Sequence, residues 1–172
     1  MPQLVITAVG PDRPGLVGDL SGKLFAAGLN LADARMVNLR GHFALLLLAE
    51  GPEPALEAVR TTLPDEARAL GLVVSFAADA PAEPFAGIPY RLKTYSMDQP
   101  GIVHRVSSFL RGRGVNIEEL STTLAQAPFA GAPLFTMELR LAVPPSLAVR
   151  PLRQELEALC HELNCDVDLE PV

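Results

Sequence analysis

The stretch Asp12-Arg13-Pro14-Gly15-Leu16-Val17 is followed 86 positions later by Asp98-Gln99-Pro100-Gly101-Ile102-Val103. The same offset aligns Leu20 with Val106, Leu24 with Leu110, Gly28 with Gly114, Asn30 with Asn116 and Leu31 with Ile117. A register held over about twenty positions marks an internal repeat, and a period this long belongs to a small domain and not to a solenoid unit.

Outward from the first copy, Leu4 to Val9 is a short run rich in β-branched residues, closed by Gly10-Pro11, and predicts a strand. Leu16, Leu20, Leu24 and Ala27 recur at helical spacing and predict an amphipathic helix. Asp12 is expected to cap that helix, with Pro14 in its first turn and Gly28 just past its end. Asn30 to Leu39 reads as extended chain, Arg40-Gly41 as a tight turn and His42 to Glu50 as a strand. Leu45-Leu46-Leu47-Leu48 lacks alternation, which predicts burial on both faces or a central place in the sheet. Pro52 and Pro54 open a second helix along Leu56, Val59, Arg60 and Leu63, which Pro64 is expected to break or kink. Leu72 to Phe76 completes the order β-α-β-β-α-β.

The second copy repeats that order. Strands are expected over Ile88–Met97, Asn116–Gln126, Leu134–Val143 and Cys165–Leu169, with helices over Pro100–Arg113 and Ser146–Leu163. Its hairpin at Ala127–Pro133 is longer than Arg40-Gly41 and reads as a tolerated surface insertion. The domains are therefore 1–79 and 88–172, joined by the Ala- and Pro-rich linker 80–87. Each copy is an α+β unit whose four-stranded sheet is covered by helices on one face. The other face, or an edge strand, needs cover, which packing of the copies or a homodimer supplies.

The net charge of −6 comes with no basic run, which argues against direct nucleic-acid binding. The apolar run Phe43–Ala49 is too short to span a bilayer, and Met1-Pro2-Gln3 leads straight into a strand with no leader expected, so a cytoplasmic location and no membrane partner are anticipated. Two cysteines make no disulfide framework, and Cys160-His161 with Cys165 fits no standard zinc spacing. Cys160 lies beside a leucine stripe and is expected in the core. Neither a catalytic constellation nor a phosphate or dinucleotide glycine pattern occurs, so no enzyme and no cofactor are expected.

The two strand-helix turns are the candidate sites. Amides at a helix start lack intrahelical partners and sit at the positive end of the dipole, so the turn at Gly15, Leu16 and Val17, or at Gly101, Ile102 and Val103, can hold a carboxylate. A plain helix start with nothing bound is the competing reading. Asn30 and Asn116 can donate and accept, and are expected to face the same pocket or else to satisfy local turns. Asp12 and Asp98 can attract an ammonium, although capping is the alternative. Arg13 can pair with a carboxylate or be solvated, and His104 can reach a ligand on the turn or be a surface histidine.

The motif Asp-Arg-Pro-Gly-Leu-Val with Gly28-Leu29-Asn30-Leu31, and Asp-Gln-Pro-Gly-Ile-Val with Gly114-Val115-Asn116-Ile117, resembles the ACT domain. The tandem, with Ala34 to Phe43 in its first copy, is similar to proteins of the glycine cleavage system transcriptional repressor type. That resemblance spans nearly the whole chain. It implies two ferredoxin-like domains and a regulatory protein that senses a small amino acid, glycine being suggested. Its output is expected through a protein partner such as a DNA-binding transcription factor. A ligand-independent module docking on an enzyme or transcription factor is the alternative. Gln99 stands where the motif has Arg, so the first turn is favoured if only one binds.

Overall fold

The computed structural model describes residues 1–77, 85–126 and 133–172. The chain divides into two compact units, Met1–Ala82 and Glu83–Val172. Most of the expected linker and the loop of the longer hairpin lie outside the described residues.

The first unit runs β1 (Gln3–Pro11), α1 (Leu16–Ala26), β2 (Asn30–Leu39), β3 (His42–Glu50), α2 (Glu53–Ala69) and β4 (Val73–Ala77). Its strands form one antiparallel sheet in the order β2-β3-β1-β4. The second unit runs β5 (Ile88–Met97), α3 (Ile102–Gly112), β6 (Asn116–Gln126), β7 (Pro133–Val143), α4 (Val149–Glu162) and β8 (Cys165–Pro171), with sheet order β6-β7-β5-β8. Both units are ferredoxin-like βαββαβ folds, as the repeat implies.

Period-two alternation decides which face is covered. In β1, Leu4, Ile6 and Ala8 are buried, and Leu16, Leu20 and Leu24 of α1 join them in the core. Leu56, Val59, Leu63 and Ala67 of α2 complete that core. Of the two alternatives for the leucine run of β3, the central place holds and burial on both faces does not. β3 is central, but Leu45 and Leu47 face the core while Leu46 is 47% exposed. The run lacks alternation because leucines serve both faces, not because both faces are covered. Pro64 does not break the helix: α2 continues through it. Pro64 forfeits one backbone bond, while Leu63 and Ala67 on either side of it stay buried and keep the helix on the sheet. Arg60 of α2 lies over the Phe76 ring, 5.9 Å from its centroid, a cation–π contact that ties helix to edge strand.

The second core follows the same plan with Leu92, Ile102, Val106, Leu110, Leu139 and Leu156. It differs on β5, where Thr94 and Ser96 stand at the repeat positions of Ala8 and Gly10. Both are buried, and among the described residues neither hydroxyl has a hydrogen-bond partner. An unpaired buried hydroxyl costs on the order of 1–3 kcal/mol. Thr94→Val keeps the shape and removes that group, so chemical denaturation should report a gain of about 1 kcal/mol. A loss of similar size would mean that the hydroxyl has a partner.

Candidate ligand site at the strand-helix turns

Gly15 has φ 89° and Gly101 has φ 96°, both in the left-handed region where a side chain is strained. Each allows the chain to leave its strand and enter a helix at the next residue. The first intrahelical bonds confirm the start: Asp19 N donates to Gly15 O at 2.8 Å, and Arg105 N to Gly101 O at 2.9 Å. The cap positions are thus the glycines. Among the described residues no side chain caps either helix. The amides of Leu16 and Val17, and of Ile102 and Val103, open each helix without a side-chain acceptor. Leu16 and Ile102 are anchored because their side chains are buried, while Val17 and His104 are exposed on the first turns.

Asp12 is therefore not the helix cap, and Pro14 lies in the turn before the helix. The β1–β3 register sets Pro11 opposite His42, which brings Asp12 over the Arg40-Gly41 hairpin. Arg40 and Gly41 both have positive φ, the type I′ pattern of a two-residue hairpin. Asn38 Nδ2 donates to the Asp12 carboxylate, Asn38 Oδ1 accepts from Gly41 N at 3.3 Å, and Asp12 N donates to Gly41 O at 2.9 Å. The motif and the hairpin are one hydrogen-bonded unit. Asn38 was not singled out by the sequence, although its place two residues before the turn was a usable signal.

Arg13 donates to the Asp19 carboxylate at 2.8 Å and to Pro14 O at 3.1 Å. Both partners of the ion pair are exposed. Such a pair is worth less than about 1 kcal/mol and exchanges readily for another carboxylate. In the second copy the Gln99 amide donates to Leu163 O, just after α4. The position that offers a guanidinium beside the first turn is thus committed to a backbone carbonyl in the second. Asp98 and His104 are exposed; the expected hairpin segment 127–132 lies outside the described residues.

Asn30 does not share a pocket with the turn of its own copy. α1 carries the chain back along the sheet, so Asn30 pairs with Glu50 while Leu39 pairs with His42 at the motif end. The intervening strand has nine residues and spans on the order of 26 Å at about 3.3 Å per residue. Asn116 is displaced in the same way, opposite Ala142, whereas Met97 beside the motif pairs with Leu134. Asn116 instead lines an open groove of about 390 Å³ with Arg111, Ser107 and Phe85.

Cys160 and Cys165 are both free, and Cys160 is buried in the second core. Burial, and secondarily the neighbouring Cys165, push the Cys160 thiol up to about 11. A thiol held protonated at neutral pH is a core side chain and not a nucleophile. Among the described residues no three His, Cys, Asp or Glu side chains converge as a metal site requires, and no helix is long and apolar enough to cross a membrane.

The family model described as "ACT domain" matches residues 2–77. That segment, nearly the whole first unit, is an ACT domain. The whole chain is 28% identical over 171 residues to the glycine cleavage system transcriptional repressor of Escherichia coli (strain K12), covering 98% of this chain and 90% of that one. A crystal structure of a protein of unknown role from Galdieria sulphuraria superposes with TM-score 0.77 at 33% identity, over 99% of this chain and 98% of the other. A crystal structure provisionally assigned as a glycine cleavage system transcriptional repressor gives TM-score 0.76 at 26% identity, over 99% and 96%. The name of the Escherichia coli relative is that of a regulator and not of an enzyme.

The tie between motif and hairpin is testable. Asn38→Ala should accelerate amide exchange at Asp12 and Gly41, leave β5 and β7 unchanged, and cost about 1 kcal/mol. Unchanged exchange at Asp12 would remove Asn38 from the turn's support.

Proposed function

We propose that the chain senses a small amino acid at the Gly15 turn and passes the bound state to a protein partner. The observation that carries this reading is a helix start whose amides have no side-chain cap, with an exchangeable guanidinium beside it. A ligand carboxylate docks on the amides of Leu16 and Val17, at the positive end of α1. Arg13 leaves Asp19 and pairs with the same carboxylate. Asp12, already an acceptor for Asn38, faces the ligand's ammonium.

The second turn has the same backbone and lacks the guanidinium, which favours the first as the stronger site. Asp98, Gly101, Ile102, Val103 and His104 then form a weaker or purely structural counterpart. Glycine is the first ligand to try, because the similar repressor of Escherichia coli is named for glycine cleavage. The net charge of −6 and the scattered arginines support an output through a protein, a DNA-binding transcription factor being the partner class in view. A ligand alters that partner's affinity only by its differential affinity for two states of the chain. The motif–hairpin unit is a route for such coupling, because a ligand that draws on Asp12 also disturbs its bond to Asn38.

Titration calorimetry of the full chain against glycine and then the other amino acids tests this. Binding in the micromolar to millimolar range is expected, weakened roughly tenfold or more by Arg13→Ala and only marginally by Gln99→Ala. No heat from any amino acid at millimolar concentration would overturn the sensor reading and favour a ligand-independent docking module.

A further inference from the structure

The groove of about 390 Å³ beside Asn116 is built entirely from the second unit. Ser107 and Arg111 line it from α3, where residues four apart share a face. Phe85 lines it from the chain that leads into β5, and its ring is 46% exposed. Val115 and Ile117 line it too and pack on the second core. Gly87 fixes the place of Phe85. A Cβ at Gly87 would lie 2.7 Å from Ala142, and Ala142 is the strand partner of Asn116. The lead-in to β5 is thus packed tightly at the end of the sheet where Asn116 sits.

Charge decides what the groove can hold. Arg105 pairs with Glu162 at 3.2 Å, and Arg113 pairs with Glu155 and lies over the Phe109 ring. Arg111 has no such partner among the described residues, and neither has the Asn116 side-chain amide. The Ser107 hydroxyl donates to His104 O at 3.2 Å and keeps its lone pairs as acceptors. No acidic side chain lines the groove. It therefore offers a guanidinium, an amide and apolar surface, but nothing to neutralise an ammonium. An ammonium placed there would lose water beside a like charge. The first copy lacks this combination, because Phe25, 82% exposed, stands at the repeat position of Arg111.

We propose that this groove binds a small organic acid that carries no ammonium group. The carboxylate pairs with Arg111, and a charge-assisted fork is the strongest contact available there. An oxygen on the neighbouring carbon accepts from the Asn116 side-chain N–H. The apolar body lies against Phe85 and Ile117. That is the chemistry of an α-oxo or α-hydroxy acid with a branched or aromatic body. The volume lies within the usual range of roughly 300–1,000 Å³ for small-molecule sites. The site stands whether or not an amino acid binds at the Gly15 turn.

Two-dimensional ¹H–¹⁵N spectra of the full chain test it, titrated separately with leucine and with the α-oxo and α-hydroxy acids of leucine's carbon skeleton. The three probes differ only at the α carbon. Saturable shifts at Gly114, Val115 and Asn116 are expected with at least one of the two acids, and leucine should bind there roughly tenfold or more weakly. The tighter acid shows whether Asn116 meets a carbonyl or a hydroxyl. Arg111→Gln should weaken that acid roughly tenfold or more, and Phe85→Ala severalfold. Arg150→Gln, exposed on α4, should leave its affinity unchanged. The wild-type comparison of the three probes does not require any variant to fold. No saturable shift at Gly114, Val115 and Asn116 with either acid would overturn the proposal. So would leucine binding there as tightly as the acids, or unchanged affinity in Arg111→Gln.

Discussion

Each domain depends on a left-handed glycine at the junction between its first strand and first helix. At Gly15 and Gly101, the last residue of a short turn after the strand, the chain enters its helix at the next residue. That geometry lays the helix back across the sheet and drops Leu16 or Ile102 into the core. It also leaves the helix start without a capping side chain, because the cap position has none. The feature that makes the fold possible is therefore the one that leaves amides available to a ligand. A side chain at either position would strain the turn by about 1–2 kcal/mol and tilt the amides that the site needs.

Duplication kept this junction and let its surroundings diverge. In the first copy the motif is tied to the tight hairpin through Asp12 and Asn38, and Arg13 stands over the helix start. In the second, Gln99 reaches the end of the last helix and the guanidinium is gone. The open faces diverged as well, to valine and leucine in one sheet and to ion pairs in the other. One fold plan thus carries two chemically distinct surfaces, which suits a protein whose output is contact with other molecules.

Much of the architecture was legible from the repeat, because a fixed offset forces each element to be read twice. The helices announced themselves by leucines at four-residue spacing, and the strands of the first half by a β-branched run or by turn residues at their ends. The departures have physical causes. Pro64 stays inside a helix because the burial of Leu63 and Ala67 outweighs one lost hydrogen bond. The leucines of β3 face both ways because the far face is apolar without being covered. Asp12 resembled a helix cap in one dimension, but strand register placed a hairpin beside it. Asn30 follows Gly15 closely in sequence and yet begins at the far end of the sheet, since a helix of eleven residues lies between them. Local spacing is informative about the turn itself and silent about what tertiary structure brings to it.

The central claim is that the Gly15 turn receives an amino acid through its backbone amides. Two-dimensional ¹H–¹⁵N spectra of the full chain, titrated with glycine and then with the other amino acids, test it residue by residue. The account predicts saturable shifts centred on the amides of Leu16, Val17 and Gly18, with smaller changes at Asp12 and Gly41 through Asn38. Shifts confined to the groove around Arg111 and Asn116, or no saturable shift with any amino acid, would contradict it.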